Sequence, residues 1–360
     1  MSIGVELLSS SGEAELEELL QSISTSLLYA SLPYRSFLTR ILDGCVDRYF
    51  VARDGGRVVG LLPTFVRHNP TYGSVINSLP FVGSNGGVIV SERATDRAAV
   101  KTALMGALLA YAREARVVAS TVIASPLEPE AALYEATSEY THRDERVCQI
   151  TPLPRSVSDG AAVTTTLLSR FHENPRRAIK KAQKSGVSVS HSSSLEALQT
   201  LSAIHEENMA ATGGPTKPWR VFEAIRASFV YDRDYRVYVA EKDGTTVAAL
   251  LVFFRNFTTE YFTPATLASA RTFQPLSLLV FEAMQEAVRR GHVNWNWGGP
   301  GPAQPAIYEF KQRWGAVDHP YSYYVKVYDE SVLGQTKAAL LREYPCFYVA
   351  PFGKLAHEDA

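Results

Sequence analysis

Lys311 is the residue on which a chemical reading of this chain turns. It stands in Tyr308-Glu309-Phe310-Lys311-x-x-Trp314-Gly315-Ala316, where Ile307, Phe310, Lys311 and Trp314 fall at i, i+3, i+4 and i+7 and so share one helix face. Three of the four are apolar, and the fourth is an amine. An ammonium on a buried face costs free energy unless it meets an anion, a carbonyl or a phosphate. Two readings follow. Either the stem lies along Phe310 and Trp314 and carries its head to water, or the cation is held for a reacting group. This window alone leaves both open. Just upstream, Val293, Trp295 and Trp297 alternate with Asn294 and Asn296 as a strand, and Gly298-Gly299-Pro300-Gly301-Pro302 breaks that strand into a loop. Strand, turn and helix in that order leave a cleft at a strand end.

A second cluster of charge lies in 167–186. Asn174 is a plausible N-cap, Pro175 suits the first helical position, and Gly186 can end the helix. Over 174–185, Arg176, Arg177, Lys180, Lys181 and Lys184 span an arc of about 140° on a helical wheel, with Ala178, Ile179 and Ala182 opposite. This is an amphipathic helix with one basic face. It reads either as a solvated linker or as a surface for phosphate, whether in a tRNA backbone, a pyrophosphate or a CoA.

Other chemistries lack their motifs. Gly83-Ser84-Asn85-Gly86 is one residue out of step with a nucleophile elbow, and neither a P-loop nor a dinucleotide glycine fingerprint opens a helix after a strand. His205-Glu206-Glu207-Asn208-Met209 is one histidine short of a zinc-protease motif, so no metal is expected. The 360 residues suffice for two domains, and 46% hydrophobic with 20% charged residues fits a soluble globular protein. A net charge of -1 argues against coating by nucleic acid. Cys45, Cys148 and Cys346 are scattered, the acidic N-terminus lacks a signal-peptide pattern, and no apolar run is long enough to span a bilayer. A cytoplasmic location is the expectation.

The elements that must position these residues form one plan used twice. In 5–150, helical spacing at 11–23 and near 34–41 precedes strands at 48–53 and 57–67 joined at Asp54-Gly55-Gly56. A strand at 75–79 follows, then the loop Phe81 to Gly87. A helix at 95–116 turns Ala99, Ala103, Leu104, Ala107, Leu108 and Tyr111 inward, and strands at 117–123 and 147–151 close the unit. In 186–328 the order returns, with a strand at 187–191 and helices at 195–209 and 219–229 around a Gly213-Gly214-Pro215 loop. Strands at 235–241 and 246–254 joined at Asp243-Gly244, a strand at 259–263, a helix from Pro275, the Lys311 element and a strand at 321–328 complete it. The fold class is α/β, doubled within one chain.

With the doubled plan, the basic helix and the Phe310-Lys311 helix in place, the chain resembles the FemABX-like branch of the GNAT acyltransferase superfamily over roughly 30–330. Three pieces carry this: Arg176-Arg177-x-x-Lys180-Lys181-Ala182-x-Lys184-x-Gly186-Val187, Asn296-Trp297-Gly298-Gly299, and the Tyr308 to Ala316 motif. The resemblance implies two tandem GNAT-like domains, each a mixed, largely antiparallel twisted sheet flanked by helices, at 1–152 and 153–330. It also implies that 331–360 packs back on the first domain. The activity implied is transfer of an acyl group to an amine, foremost an aminoacyl group from aminoacyl-tRNA to a cell-wall precursor or small-molecule amine. An acyl-CoA-dependent N-acyltransferase of polysaccharide, lipid or secondary-metabolite assembly and a silent binding protein are the alternatives.

In this resemblance Lys311 stabilises the carbonyl under attack, and Tyr261 and Tyr308 are candidate catalytic positioning groups. Phe310, Asn296, Trp297, Gly298, Arg271, Arg35, Asn85 and Gly86 are candidate substrate contacts. No permanently bound cofactor is implied, the donor being a co-substrate, and a lipid-linked acceptor would be met peripherally. The glycine-rich pyrophosphate loop of acetyl-CoA-binding relatives is replaced here by Arg271-Thr272-Phe273-Gln274-Pro275. The coiled-coil insertion of some relatives is missing, so any tRNA would rely on the basic helix.

Overall fold

The computed structural model describes residues 3–81, 83–155, 160–212, 216–299 and 304–356. The expected loops at Gly213-Gly214-Pro215 and Pro300-Gly301-Pro302 lie outside the described residues. Two compact units emerge, Met1–Val147 with Pro320–Ala360, and Cys148–His319.

The first unit begins β1 (Gly4–Leu7), α1 (Glu13–Ser22), α2 (Leu32–Ile41), β2 (Cys45–Asp47), β3 (Phe50–Asp54), β4 (Arg57–Leu62), β5 (Phe65–Arg67), β6 (Val75–Ser78) and β7 (Ile89–Val90). It continues through α3 (Arg97–Glu114), β8 (Ala119–Ile123) and α4 (Ala131–Thr137) into β9 (His142–Pro152). The β3–β4 turn sets Gly55 and Gly56 at φ 56° and 86°, the two left-handed residues that a tight hairpin of matching twist requires. The strand expected at 57–67 is two strands. Pro63 has no N–H for the ladder, and after it β5 leaves β3 to pair with β2 and β6. On α3 the buried face is Val100, Leu104, Met105, Leu108 and Ala112, rotated from the expected one because the bulkier side chains take the sheet. That face packs with Phe50, Leu62, Ile76 and Tyr134.

The second unit holds α5 (Gly160–Arg170), α6 (Glu173–Lys184), β10 (Ser188–Ser192), α7 (Leu195–Thr212), α8 (Trp219–Ser228), β11 (Tyr235–Lys242), β12 (Thr245–Arg255) and β13 (Thr258–Thr266). Then come α9 (Pro275–Arg289), β14 (Asn294–Asn296) and α10 (Pro305–Arg313), before β15 (Val317–Val327) and, in the first unit, α11 (Lys337–Glu343). The hairpin turn recurs with Asp243 and Gly244 at φ 51° and 76°. The core gathers Ile179, Leu250, Leu279, Ala283, Trp295, Trp297 and Trp314.

Each unit thus contains a hairpin, a third strand, a long helix, a strand parallel to the third, and a short helix. The parallel pairs are β6 with β8 and β13 with β14. The closing strand departs from expectation. In the first unit β8 is flanked by Tyr323–Val327 of β15, and in the second β14 is flanked by Ile150–Pro152 of β9. The strand expected to close the first half therefore joins the second unit's sheet. Alternation of side chains sets a strand's faces but carries no information on its neighbour. The C-terminal segment belongs to the first unit, where Tyr344 Oη donates to Gly73 O at 2.9 Å and the Asn77 side chain pairs with both backbone groups of Tyr348 at 2.7 and 2.8 Å.

Candidate active site

Lys311 lies in the last turn of α10. Pro305 opens this helix, and Gly315, at φ 77°, ends it by donating its N–H to Gln312 O. A Cβ at Gly315 would stand 3.2 Å from Arg170 O, so both the left-handed conformation and the close approach need glycine. Two hydrogen bonds pin the helix end. Thr151 Oγ1 donates to Trp314 O at 3.2 Å and accepts Trp297 Nε1 at 2.8 Å, while His172 N donates to Arg313 O at 2.8 Å. Trp314 is fully buried, with Phe171 at 4.9 Å and Trp297 at 6.0 Å between ring centroids.

Lys311 is 5% exposed and does not send its head to water. Its Nζ donates to Gly298 O at 2.9 Å, in the turn that follows β14. The same oxygen accepts the backbone N–H of Gln149 at 3.3 Å. Burial lowers the amine from the ordinary lysine value to about 8, with the nearby Cys148 thiol opposing the shift. Even so, the protonated form dominates at neutral pH. Asn296 is buried, and its Oδ1 accepts Gly298 N at 2.8 Å and the Cys148 thiol at 3.0 Å. Burial, with the charge of Glu260 adding to it, pushes that thiol far above its usual range, so it is a donor and not a nucleophile.

The other expected site residues divide sharply. Trp297 and Phe310 stack edge to face at 5.8 Å, and Trp297 meets Tyr261 at 4.9 Å. These rings pack on one cluster beside Trp295 and Trp314. Burial raises the Tyr261 phenol well above its usual range, keeping it a neutral donor. Tyr308 does not join them. Its hydroxyl donates to Asp318 at 2.6 Å and accepts Gln312 Nε2 at 2.8 Å, a network on the exposed side of α10. Ile307, expected on the buried face, is 43% exposed, because the helix only begins at Pro305 and its first turn stands clear of the core. Asn296 has its side-chain oxygen engaged within its own turn instead of turned to a ligand.

In the first unit, Arg35, expected at an acceptor phosphate, already has carboxylate partners. Its guanidinium is matched to Glu13 and Asp47, each at 2.7 Å, and lies over the Tyr49 ring. Asn85 and Gly86 border a cavity of about 10 Å³, room for a water and no more. A Cβ on Gly86 would meet the Ser78 carbonyl carbon at 2.9 Å, and Gly86 N donates to Ile123 O at 3.0 Å. That loop fills the space beside β6 instead of opening it.

The basic helix α6 buries Pro175, Ile179 and Ala182 and exposes Arg176, Arg177, Lys180, Lys181 and Lys184. Its N-cap is His172, two residues before the expected Asn174, and His172 Nδ1 accepts Asn174 N at 3.3 Å. Glu173 pairs with Arg177. Arg271 is exposed in a short 3-10 turn before Gln274, whose φ is 60°. At the start of α9, Pro275 has no N–H and Ser277 N is taken by Gln274 O at 3.1 Å, which leaves little for a pyrophosphate to bind.

Cys148 and Gln149 escaped the sequence reading because their partners are 148 and 159 residues away, on Asn296 and Tyr308. Lys217 escaped it too. Its amine sits 5.2 Å from the Phe262 ring centroid, and burial lowers it to about 8. Among the described residues no group of histidine, cysteine or acidic side chains is arranged to hold a metal, and no helix is long and apolar enough to cross a membrane.

An acetyltransferase (GNAT) domain family matches residues 169–312, the stretch from α6 through Lys311. No curated protein sequence matches the chain. Among solved structures, FemX aligns over 91% of this chain and 98% of its own, with a TM-score of 0.73 and 15% identity. The C-terminal DUF2156 domain of an Agrobacterium fabrum protein named as a putative lysylphosphatidylglycerol synthetase aligns over 91% of this chain and 95% of its own, with a TM-score of 0.56 and 12% identity. A tandem GNAT protein from the clavulanic acid biosynthesis pathway aligns over 90% and 97%, with a TM-score of 0.50 and 15% identity. Residues 169–312 thus match a GNAT acetyltransferase domain that takes in Lys311, and the chain shares the fold of FemX along nearly its whole length.

Proposed function

We propose that the protein forms an amide by transferring an aminoacyl group from aminoacyl-tRNA to an amine, with Lys311 as the cation that steadies the reacting carbonyl. The acceptor class is a cell-wall precursor or a small-molecule amine. The observation carrying this reading is the Lys311 ammonium, buried on the helix that also bears Phe310 and held, among the described residues, by a single carbonyl. Its other N–H bonds are then available to a ligand. When the amine nitrogen attacks the ester carbon, negative charge gathers on the carbonyl oxygen. A fixed ammonium in a site shielded from water offsets that charge at little reorganisation cost. The new C–N bond forms, the ester C–O bond breaks, and a proton lost by the amine ends on the departing ribose oxygen. Tyr261, a neutral phenol beside Trp297, is a further donor to the bound acyl group in this reading.

The tRNA donor is favoured over acyl-CoA by the start of α9, where proline and an internal hydrogen bond occupy the positions that would hold a pyrophosphate. The exposed cations of α6 supply a surface for a polyanionic carrier in the same unit. The test is donor consumption. Incubated with mixed aminoacyl-tRNAs, with acetyl-CoA, and with an amine acceptor, the protein is expected to deacylate a tRNA in a Lys311-dependent way. Release of free CoA with every tRNA left charged would move the assignment to the acyl-CoA reading, and consumption of neither donor would favour a silent binding protein.

A further inference from the structure

Asn296 and Cys148 have no contact with solvent to speak of, at 1% and 3% exposure, yet both are polar and both are aimed at the same turn. The Asn296 Oδ1 accepts two donors, Gly298 N at 2.8 Å from its own turn and the Cys148 thiol at 3.0 Å from β9. Gly298 then presents its carbonyl to Lys311 Nζ at 2.9 Å. The ladder of β14 ends at Asn296, so Gly298, at φ 70°, lies beyond strand pairing. What holds the residue is the carboxamide on its N–H, in the peptide before it, and Gln149 N on its carbonyl, in the peptide after it. A lysine side chain has four rotatable bonds and loses up to about 2 kcal/mol of rotamer entropy when fixed. Its head stays in one place only if its acceptor does.

We propose that Asn296 and Cys148 are positioning residues for Lys311, fixing the Gly298 carbonyl on which the ammonium docks. The inference rests on the transfer reading above and names what aims its cation. The titratable group facing the amine is Cys148 on β9, and Glu260 on β13, in register with Asn296, faces that thiol in turn. Because the thiol stays protonated, it acts by donating its hydrogen, and a serine hydroxyl can do the same.

Two readouts test this. The first is steady-state turnover of Asn296→Ala, Cys148→Ala and Cys148→Ser across pH. The second needs no substrate: the pH-dependent rate at which a small acetylating reagent modifies Lys311, followed by peptide mass spectrometry. Asn296→Ala is expected to lower kcat about 100-fold, as misplacement of a reacting group by an ångström does, with KM little changed. Its Lys311 is expected to titrate nearer the ordinary lysine value, since the released head reaches water. Cys148→Ser is expected to match the parent in both readouts, with Cys148→Ala between. If Asn296→Ala keeps full kcat and an unaltered Lys311 titration while Lys311→Met is dead, the positioning role is wrong and the transfer reading stands. Turnover by Lys311→Met would sink the transfer reading itself. Should Asn296→Ala fail to fold, the Cys148 pair decides, and identical behaviour of the alanine and serine forms overturns the proposal.

Discussion

Lys311 Nζ and Gly298 O lie 2.9 Å apart, joining the last turn of α10 to the turn after β14. The bond satisfies one proton of an ammonium that burial otherwise leaves in a poor solvent, and one carbonyl does not repay that loss. A group kept against its own solvation is a stability cost, which the proposed transfer reading assigns to function.

Replacing Lys311 with methionine, of similar length and no charge, is therefore expected to separate stability from turnover. Folded, the amine titrates near 8, against an ordinary value of 10.5. Below pH 8 it is protonated in both states and the full cost is present. Between 8 and 10.5 the folded state gives up its proton first, so the parent gains stability with rising pH. Lys311→Met should be more stable at pH 7, by on the order of 3 kcal/mol before the lost hydrogen bond is counted. Urea unfolding at pH 7 and pH 10.5 should show that gap shrinking. Activity should fall at least about 100-fold. A methionine form that is no more stable at pH 7 would contradict the account of the buried charge.

How much of this was legible beforehand follows from the range of each signal. The Asp54-Gly55-Gly56 and Asp243-Gly244 turns were readable because a tight hairpin needs left-handed residues at adjacent positions. The helix bearing Phe310, Lys311 and Trp314 was readable from a spacing of four residues. Arg35 was not, because the carboxylates that occupy it, Glu13 and Asp47, are set by tertiary contact. The placement of β9 and β15 was not either. A strand's own residues fix its faces, while its neighbour is chosen by folding of the whole chain. Cys148 gave no sign, since a lone cysteine in a strand looks like any small core residue until Asn296 stands beside it.

The cations of α6 are solvent-exposed, so they can be neutralised without opening the core. Arg177 is already matched by Glu173 and is best left alone. Changing Arg176, Lys180, Lys181 and Lys184 to glutamine should leave the melting temperature close to that of the parent. Affinity for tRNA, measured by filter binding over a range of salt, should fall. The slope of log affinity against log salt should lessen by about 0.7–0.9 for each phosphate that the helix no longer neutralises. A slope equal to the parent's would remove this helix from donor binding.

Acid should destabilise the second unit through two buried histidines. His205 is held near pKa 4 by burial and by Lys217, and His292 near 4 by burial and by Arg290. His292 Nδ1 meets Thr259 Oγ1 at 2.8 Å with its ring edge-on to Phe254, and His205 Nε2 accepts Lys217 N at 3.2 Å. The charges acting on them are Lys217 at His205 and Arg290 at His292, and Arg290 itself pairs with Glu286. In the unfolded chain both rings protonate near the ordinary value of 6.5. Between 6.5 and 4 the unfolded state binds more protons, so stability falls as pH falls through that window. Each ring accounts for on the order of 3 kcal/mol by pH 4. His292→Gln keeps a partner for Thr259 and cannot titrate. Its stability measured by urea unfolding should decline less steeply between pH 6.5 and 4, by about one proton's worth of slope, and a decline parallel to the parent's would mean that His292 is not held neutral in the fold.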